Sequence, residues 1–393
     1  MDHAVSAPIP ATPGNTREAG HRVGLLFSRT SLTAATEITQ DNATRLAIDE
    51  INAQGGIGGV PLVPVAPEVG ATPEAYRSAA EWLCDTQNVP VIFGTHMSST
   101  RKAVLPVIES RRVLLFYATL YEGFEFSPYC FYTGSVPNQN SVVLASHVMR
   151  HYGDRVLFVG GQYVYPRESN RIMRELYEHA GGTVVGETYL PLDAPQADFA
   201  EVLKRARDER PDAIYSTVVG RDIVKLYRAY RELGLDPARM PIVSLATNET
   251  DVAALSAEAA EGHITAAPWF DSLESAASRR FVQAYRARYG QDAPITAGAE
   301  AAYFQVHLVA DAARRAGSLA AAELMPALNG ASFEAPQGRV TIDGETQHTW
   351  LWPRIARIDA QRRFDILYSA PAPVRPVPYL VDHALDFDDH STT

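Results

Sequence analysis

The sequence predicts an α/β protein built on two doubly wound parallel sheets. Three observations carry this reading. Short apolar runs alternate with amphipathic stretches along most of the chain, the pattern of repeated strand–helix units. At 393 residues the chain is too long for one ordinary core. An irregular aromatic passage at residues 121–137 interrupts the alternation, and a second series of units begins beyond it.

The first run, residues 22–28, contains Val23, Leu25, Leu26 and Phe27 and reads as a strand ending in Ser28-Arg-Thr-Ser31. Ala43, Leu46, Ala47 and Ile51 then recur at helical spacing. Gly55-Gly-Ile-Gly-Gly59 stands after that helix and before strand 60–65. A phosphate-binding loop needs the opposite order, so the cluster reads as a helix stop and a tight turn. Helix 73–86, strand 89–93, helix 100–109 and strand 113–116 complete the first series. The second series runs through helix 139–152, strand 155–159, a helix from Pro166 to Gly181-Gly182, and strand 183–187. Helix 198–210, strand 213–217, helix 222–233, strand 242–245 and a helix near 251–260 extend it.

The last third holds strand 264–269, helices 278–289, 296–316 and 319–329, then strand-like segments 339–342, 350–359 and 364–368, the last two joined by Asp359-Ala-Gln-Arg-Arg363. The helices are expected to return to the first lobe and the hairpin to finish the second. The expected division is a disordered leader at 1–20, a first lobe of 21–136 plus 268–342, a second lobe of 137–267 plus 343–380, and an acidic tail at 381–393 with Asp382, Asp386, Asp388 and Asp389. Repeated crossings between lobes make a hinge.

Composition narrows the function. The chain is 46% hydrophobic and 21% charged, and no apolar run approaches the ~20 residues of a membrane span. A net charge of -11 argues against direct nucleic-acid contact, which needs basic surface. Two cysteines, Cys84 and Cys130, make no framework and suit a reducing compartment. Residues 1–20 lack a basic segment followed by an apolar one. The expected location is therefore cytoplasmic, or periplasmic if a signal segment has been removed. The sequence has no Gly-x-Ser-x-Gly, His-Glu-x-x-His, P-loop or Cys-x-x-Cys motif, so no catalytic residue, metal or cofactor is expected. His147 and His151 have metal-ligand spacing but no third ligand, and read as surface groups. Glu122 and Glu125 read as structural or surface groups.

Two loops follow buried-strand signals: Gly94-Thr-His-Met-Ser-Ser-Thr100 and Tyr117-Ala-Thr-Leu-Tyr-Glu-Gly123. Successive parallel strands end on one sheet edge, where ligands collect. The loops carry hydroxyls and aromatic rings without a run of charge, which suits a small polar, uncharged ligand. One hydroxyl among Ser98, Ser99 and Thr100 is enough to cap the following helix, leaving others for a ligand. Thr119 shares that edge, and Tyr163 and Tyr165 stand after the first strand of the second series, placed to close the cleft from the other side. Glu249 is a receiver for an ammonium group should the ligand be an amino acid.

Residues 94–107, Tyr121-Glu-Gly-Phe-Glu-Phe-Ser-Pro128, Pro137-Asn-Gln-Asn-Ser141 and Tyr165-Pro-Arg-Glu-Ser-Asn170 resemble the aliphatic-amide sensors that act as negative regulators of bacterial amidase operons. The similarity continues at Ser216-Thr-Val-Val-Gly220, Leu226-Tyr-Arg-Ala229, Ala266-Ala-Pro268 and Glu334-Ala-Pro-Gln-Gly338, spanning about 22–380. More broadly the chain is similar to the branched-chain amino-acid, urea and short-chain amide binding proteins of ABC importers. The resemblance implies a type I periplasmic-binding-protein fold, two lobes joined by three crossovers. It implies a small neutral amide, of the acetamide, propionamide or urea class, held by Ser98, Tyr117, Thr119 and Tyr163. It also implies an RNA-binding antiterminator protein as partner, inhibited until the amide arrives, with no membrane insertion; a homodimer is compatible with it. Where the best-known sensor has Cys-Tyr, this chain has Thr95-His96, and Ala118-Thr-Leu120 replaces Pro-Thr-Pro. His96 thereby joins the expected site as a further hydrogen-bonding group, suited to a ligand with more N–H groups such as urea. The alternative function is the substrate-binding subunit of an importer for urea, short amides or branched-chain amino acids.

Overall fold

A computed structural model describes residues 20–381, 384 and 385. Residues 1–19 of the expected leader and most of the expected acidic tail lie outside the described residues. The first series is β1 (His21–Leu26), α1 (Ala34–Ala53), β2 (Leu62–Val65), α2 (Pro73–Asp85), β3 (Val91–Gly94), α3 (Ser98–Arg111), β4 (Leu114–Tyr117) and β5 (Cys130–Tyr132). It forms a five-stranded, all-parallel sheet in the order β2-β1-β3-β4-β5. Side chains of successive strand residues alternate between its faces. Val91, Phe93, Leu114 and Phe116 enter one core, while Ile92, Leu115 and Tyr117 enter another. Strand β5 lies inside the passage expected to be irregular. Its three residues are too few for a periodic signal, and pairing with β4 is what holds them extended.

The second series is α4 (Ser141–His151), β6 (Arg155–Gly161), α5 (Val164–His179), β7 (Thr183–Leu190), α6 (Gln196–Glu209), β8 (Ala213–Thr217), α7 (Arg221–Glu232), β9 (Ile242–Ser244), α8 (Glu249–Ala253), α9 (Ala257–Ala260) and β10 (Ile264–Ala267). Helices α10 (Ala276–Tyr289), α11 (Ala297–Ala316) and α12 (Ala321–Leu328) follow. Phe281, Phe304 and Leu324 of these helices pack into the first sheet's core with Val23 and Phe93. Strands β11 (Ser332–Ala335), β12 (Gly338–Ile342) and β13 (Thr349–Trp350) make a small antiparallel sheet. The hairpin β14 (Arg354–Ile358) and β15 (Phe364–Ser369) then completes a seven-stranded sheet, β15-β14-β10-β9-β8-β6-β7. Asp359 Oδ1 ties its turn by accepting from the Gln361 and Arg363 amides. The chain thus passes between the two large sheets three times: after β5, after β10 and after β13.

Local chemistry sets the element ends. Thr72 caps α2, with Pro73 at its first position, and Thr296 caps α11 by accepting from the Ala299 amide at 3.1 Å. The glycine cluster after α1 is a turn: Gly56 has φ +70° and donates its amide to the Ile51 carbonyl. Helix α3 begins earlier than expected, at Ser98, with Met97 in the cap position.

Candidate functional site

Strand order decides where a ligand would lie. In the first sheet β2 and β3 flank β1, and in the second β7 and β8 flank β6. Each sheet therefore has a switch point where loops diverge above the strand ends. Thr33, Thr36 and His96 come from the first crevice and Tyr163, Val219 and Gly220 from the second, and all of them line one cavity. It encloses about 960 Å³, open mouth included. The five expected site residues, His96, Ser98, Tyr117, Thr119 and Tyr163, are all in its wall.

The first-sheet wall is a chain of paired polar groups. Tyr117 donates its hydroxyl to the His96 carbonyl at 2.5 Å, fixing the loop after β3. Gln40, on the buried face of α1, holds both His96 and Thr119. Its Oε1 lies 3.0 Å from His96 Nδ1, and its Nε2 donates to Thr119 Oγ1 at 3.1 Å. Thr119 Oγ1 is also 3.2 Å from His96 Nδ1. This arrangement places the imidazole proton on Nδ1 and leaves Nε2 as an acceptor. Burial lowers the His96 pKa, against a smaller opposing pull from Glu37, so the ring is neutral.

Ser98 lines the cavity, but its hydroxyl proton points into the protein. It donates to Glu122 Oε2 at 2.6 Å and accepts from Arg101 at 3.3 Å. Arg101 is fully buried behind the wall. Its Nε donates to Glu125 Oε1 at 2.6 Å and a terminal nitrogen reaches Glu122 Oε1 at 3.3 Å. The guanidinium carbon stands 4.6 Å from the Tyr117 ring centre and 4.5 Å from that of Tyr121. Burial would raise the Glu125 pKa, but Arg101, with Lys102, pulls it down to about 2. His348 stacks on Tyr132 at 4.3 Å and bonds Tyr121 through Nε2 at 2.6 Å. Burial is the main cause holding its pKa down to about 4.

The second-sheet wall is sparser. Tyr163 precedes α5, its ring 6.2 Å from that of Tyr165. Glu249 opens α8 beneath the cavity, and burial together with the neighbouring Asp271 raises its pKa well above the carboxylate range. The two walls touch at one lip. Gly220 has φ +59°, and a Cβ there would meet the Leu32 carbonyl oxygen at 2.3 Å. Asn248 Nδ2 reaches Thr36 Oγ1 across the same lip at 3.4 Å. No lysine or arginine is in the cavity wall among the described residues. The wall therefore offers neutral donors and acceptors over an apolar floor that includes Trp269 and Phe270.

Gln40 and Arg101 are the residues that sequence reasoning passed over. Both had a signal. Gln40 sits at helical spacing with the apolar positions Ala43 and Ala47, and Arg101 with Leu105 and Ile108. A polar residue inside an apolar stripe demands a buried partner. Glu122 and Glu125 are those partners for Arg101, which gives them the structural of their two expected roles. The His147 and His151 rings lie 4.5 Å apart, and burial with the neighbouring His151 lowers the His147 pKa to about 4. His147 is thus half-buried rather than a simple surface group.

Similarity to known proteins decides the family. The profile of the periplasmic binding protein domain matches residues 21–384. The chain belongs to that family. Its fold is the type I arrangement, and it is similar to Leu/Ile/Val-binding protein homolog 6 of Brucella melitensis, with 24% identity over 71% of this chain and 72% of that one. Among solved structures it resembles a solute-binding protein of an ABC transporter from Rhodopseudomonas palustris BisB5 in complex with 3,4-dihydroxybenzoic acid. The TM-score is 0.82 at 24% identity, over 91% of this chain and 99% of the other. It also resembles the branched-chain amino-acid substrate-binding protein of Streptococcus pneumoniae in complex with isoleucine, with a TM-score of 0.78 at 22% identity, over 89% and 98%. The amide-sensor resemblance thus narrows to the wider family at this level. Among the described residues no helix is long and apolar enough to cross a membrane.

Proposed function

We propose that this chain is the solute-binding subunit of an ABC importer, taking a small ligand with an uncharged polar head, of the short-amide or urea class. One observation carries the reading: polar groups from both sheets converge on one cavity whose wall, among the described residues, holds no lysine or arginine. An anionic ligand would find no countercharge there. A carbonyl compound with N–H groups finds His96 Nε2 as acceptor and Thr119 and Tyr163 as donors. In this reading residues 21–136 with 268–342 and residues 137–267 with 343–380 move as two lobes, and the ligand favours the closed form by its differential affinity.

Glu249 supports a second reading, a branched-chain amino acid. Its buried carboxyl would ionise against an ammonium group, and the relatives are named for leucine, isoleucine and valine. Those relatives favour an importer, and with it a periplasmic location, over the cytoplasmic regulator first expected. The antiterminator partner has no counterpart among them, and an importer's membrane permease takes its place.

Thermal unfolding against acetamide, propionamide, urea and leucine tests both readings, since a ligand that binds only the folded state raises the midpoint. A shift with an amide or urea supports the first, and one with leucine alone supports the second. No shift with any of them at millimolar concentration sinks both.

A further inference from the structure

Three buried polar groups in the cavity wall have nothing to bond. Asn140 Nδ2, Ser135 Oγ and the Tyr165 hydroxyl are each shielded from solvent and without a hydrogen-bond partner among the described residues. Their residues are 1%, 3% and 4% exposed, and all three line the cavity. Buried polar groups are nearly always paired, because an unpaired one has given up water for nothing. Three around one cavity are therefore an unmet demand for a partner.

Each is held in place by other contacts. Asn140 Oδ1 accepts from the Ser141 amide at 2.5 Å and from Ser141 Oγ at 3.1 Å. That fixes which end of the amide is oxygen and leaves the NH2 as the unused donor. The Ser135 carbonyl accepts from the Tyr121 amide at 3.1 Å. Gly134, beside it, lies directly against Thr119, where an added Cβ would come within 2.2 Å of the carbonyl oxygen. Ser135 is thus next to the expected site without sharing its hydrogen bonds. Burial raises the Tyr165 pKa and Ser169 comes close enough to pull it down slightly, but the hydrogen bond the Ser169 hydroxyl makes is with Tyr215, at 2.9 Å.

We propose that Ser135, Asn140 and Tyr165 form a second polar subsite, separate from the Gln40–His96–Thr119 chain, that takes an oxygen-bearing group of the ligand. The inference rests on the cavity being a ligand cleft and refines the substrate class. The preferred ligand carries two polar ends, not the single head of acetamide or urea. The NH2 of Asn140 suits a carbonyl oxygen, and the two hydroxyls can donate or accept, so a carboxamide or hydroxyl end fits best.

Two nearly isosteric pairs test this by calorimetry on the full chain: isovaleramide against malonamide, and leucine against asparagine. In each pair a branched hydrocarbon end becomes a carboxamide of similar shape. The expected result is that the carboxamide member of the binding pair is at least about tenfold tighter. Ser135→Ala combined with Tyr165→Phe should erase that preference while leaving the ligand-free melting temperature unchanged or higher. Asn140→Asp keeps the helix-capping oxygen, removes the donor and should erase it too. Equal or weaker binding of the carboxamide member, a preference that survives these substitutions, or a lower melting temperature in the double variant overturns the subsite. If isovaleramide or leucine binds while the carboxamide gains nothing, the cleft reading stands and the subsite falls. If none of the four binds while acetamide or urea still does, the cleft reading stands and the subsite falls; if acetamide and urea fail as well, the cleft reading fails and takes the subsite with it.

Discussion

At the first-sheet wall of the cavity, Ser98, Tyr117 and Thr119 all present hydroxyls already engaged by the protein. At the opposite wall, the Tyr165 hydroxyl has no partner among the described residues and Glu249 accepts a long 3.4 Å bond from the Asp271 amide. These first-wall hydroxyls are fixed by bonds within the protein. The charges of that wall are buried but matched, Arg101 against Glu122 and Glu125. The second wall keeps a neutral carboxyl and an idle hydroxyl. Preorganisation of the three first-wall hydroxyls lowers the ordering cost of binding, and the unmet hydrogen bonds, at Ser135 beside Thr119 as well as at Tyr165 opposite, are those the proposed subsite leaves to a ligand.

The sharpest way to break this contrast is Arg101→Met. It strands two buried carboxylates and should cost about 3–5 kcal/mol of stability in urea unfolding. A loss under about 1 kcal/mol would show that the first wall is not held by this network. Next come the two hydroxyls that sequence reasoning treated alike. Thr119→Ala removes a group facing the cavity and should weaken ligand binding by about 1–3 kcal/mol, read as a shifted isotherm. Ser98→Ala should instead lower the unfolding free energy by a similar ~1–3 kcal/mol, because Glu122 and Arg101 lose a buried partner. If Ser98→Ala spares stability and cuts affinity, the two residues play the same role after all.

The walls should also respond oppositely to pH. Glu125 is held down at about 2, below its ordinary 4.5, so its stabilisation is complete above about 4.5 and fades as pH falls toward 2. Glu249 is raised, so its contribution is complete below about 4.5 and fades as pH rises toward its elevated pKa. Glu249→Gln should lessen the fall of the urea midpoint as pH rises, with Asp251 and Glu300, both raised to about 8, keeping part of it, and should leave the acid limb unchanged. A flattened acid limb in that variant would contradict the assignment. The lip gives a further test. Gly220→Ala puts a side chain at φ +59° and against the Leu32 carbonyl, so it should destabilise the unliganded protein by about 1–3 kcal/mol in urea unfolding and weaken ligand binding a few-fold. A tighter complex would mean that the lip does not limit closure.

Much of the fold is legible in the sequence because it follows from local rules. Buried parallel strands such as β3 and β4 read as unbroken apolar runs, since both faces of the sheet are covered. The loops that line the cavity are legible for the same reason: they follow those strands, and strand ends share an edge. Strand β5 was not legible, because three residues carry no period and only pairing with β4 keeps them extended.

The sequence by itself determined the alternation of strands and helices, the break between two series, and the position of His96, Ser98, Tyr117 and Thr119 at one sheet edge and of Tyr163 at a strand end of the other. Only the tertiary structure decided what those residues do there. Ser98 meets Glu122 and Arg101 meets Glu125 across 24 positions of chain, and Thr119 meets Gln40 across 79. A hydroxyl's free or engaged state depends on such distant partners, and no local pattern records them. Apolar periodicity is written residue by residue, whereas hydrogen-bond satisfaction is a property of the packed whole.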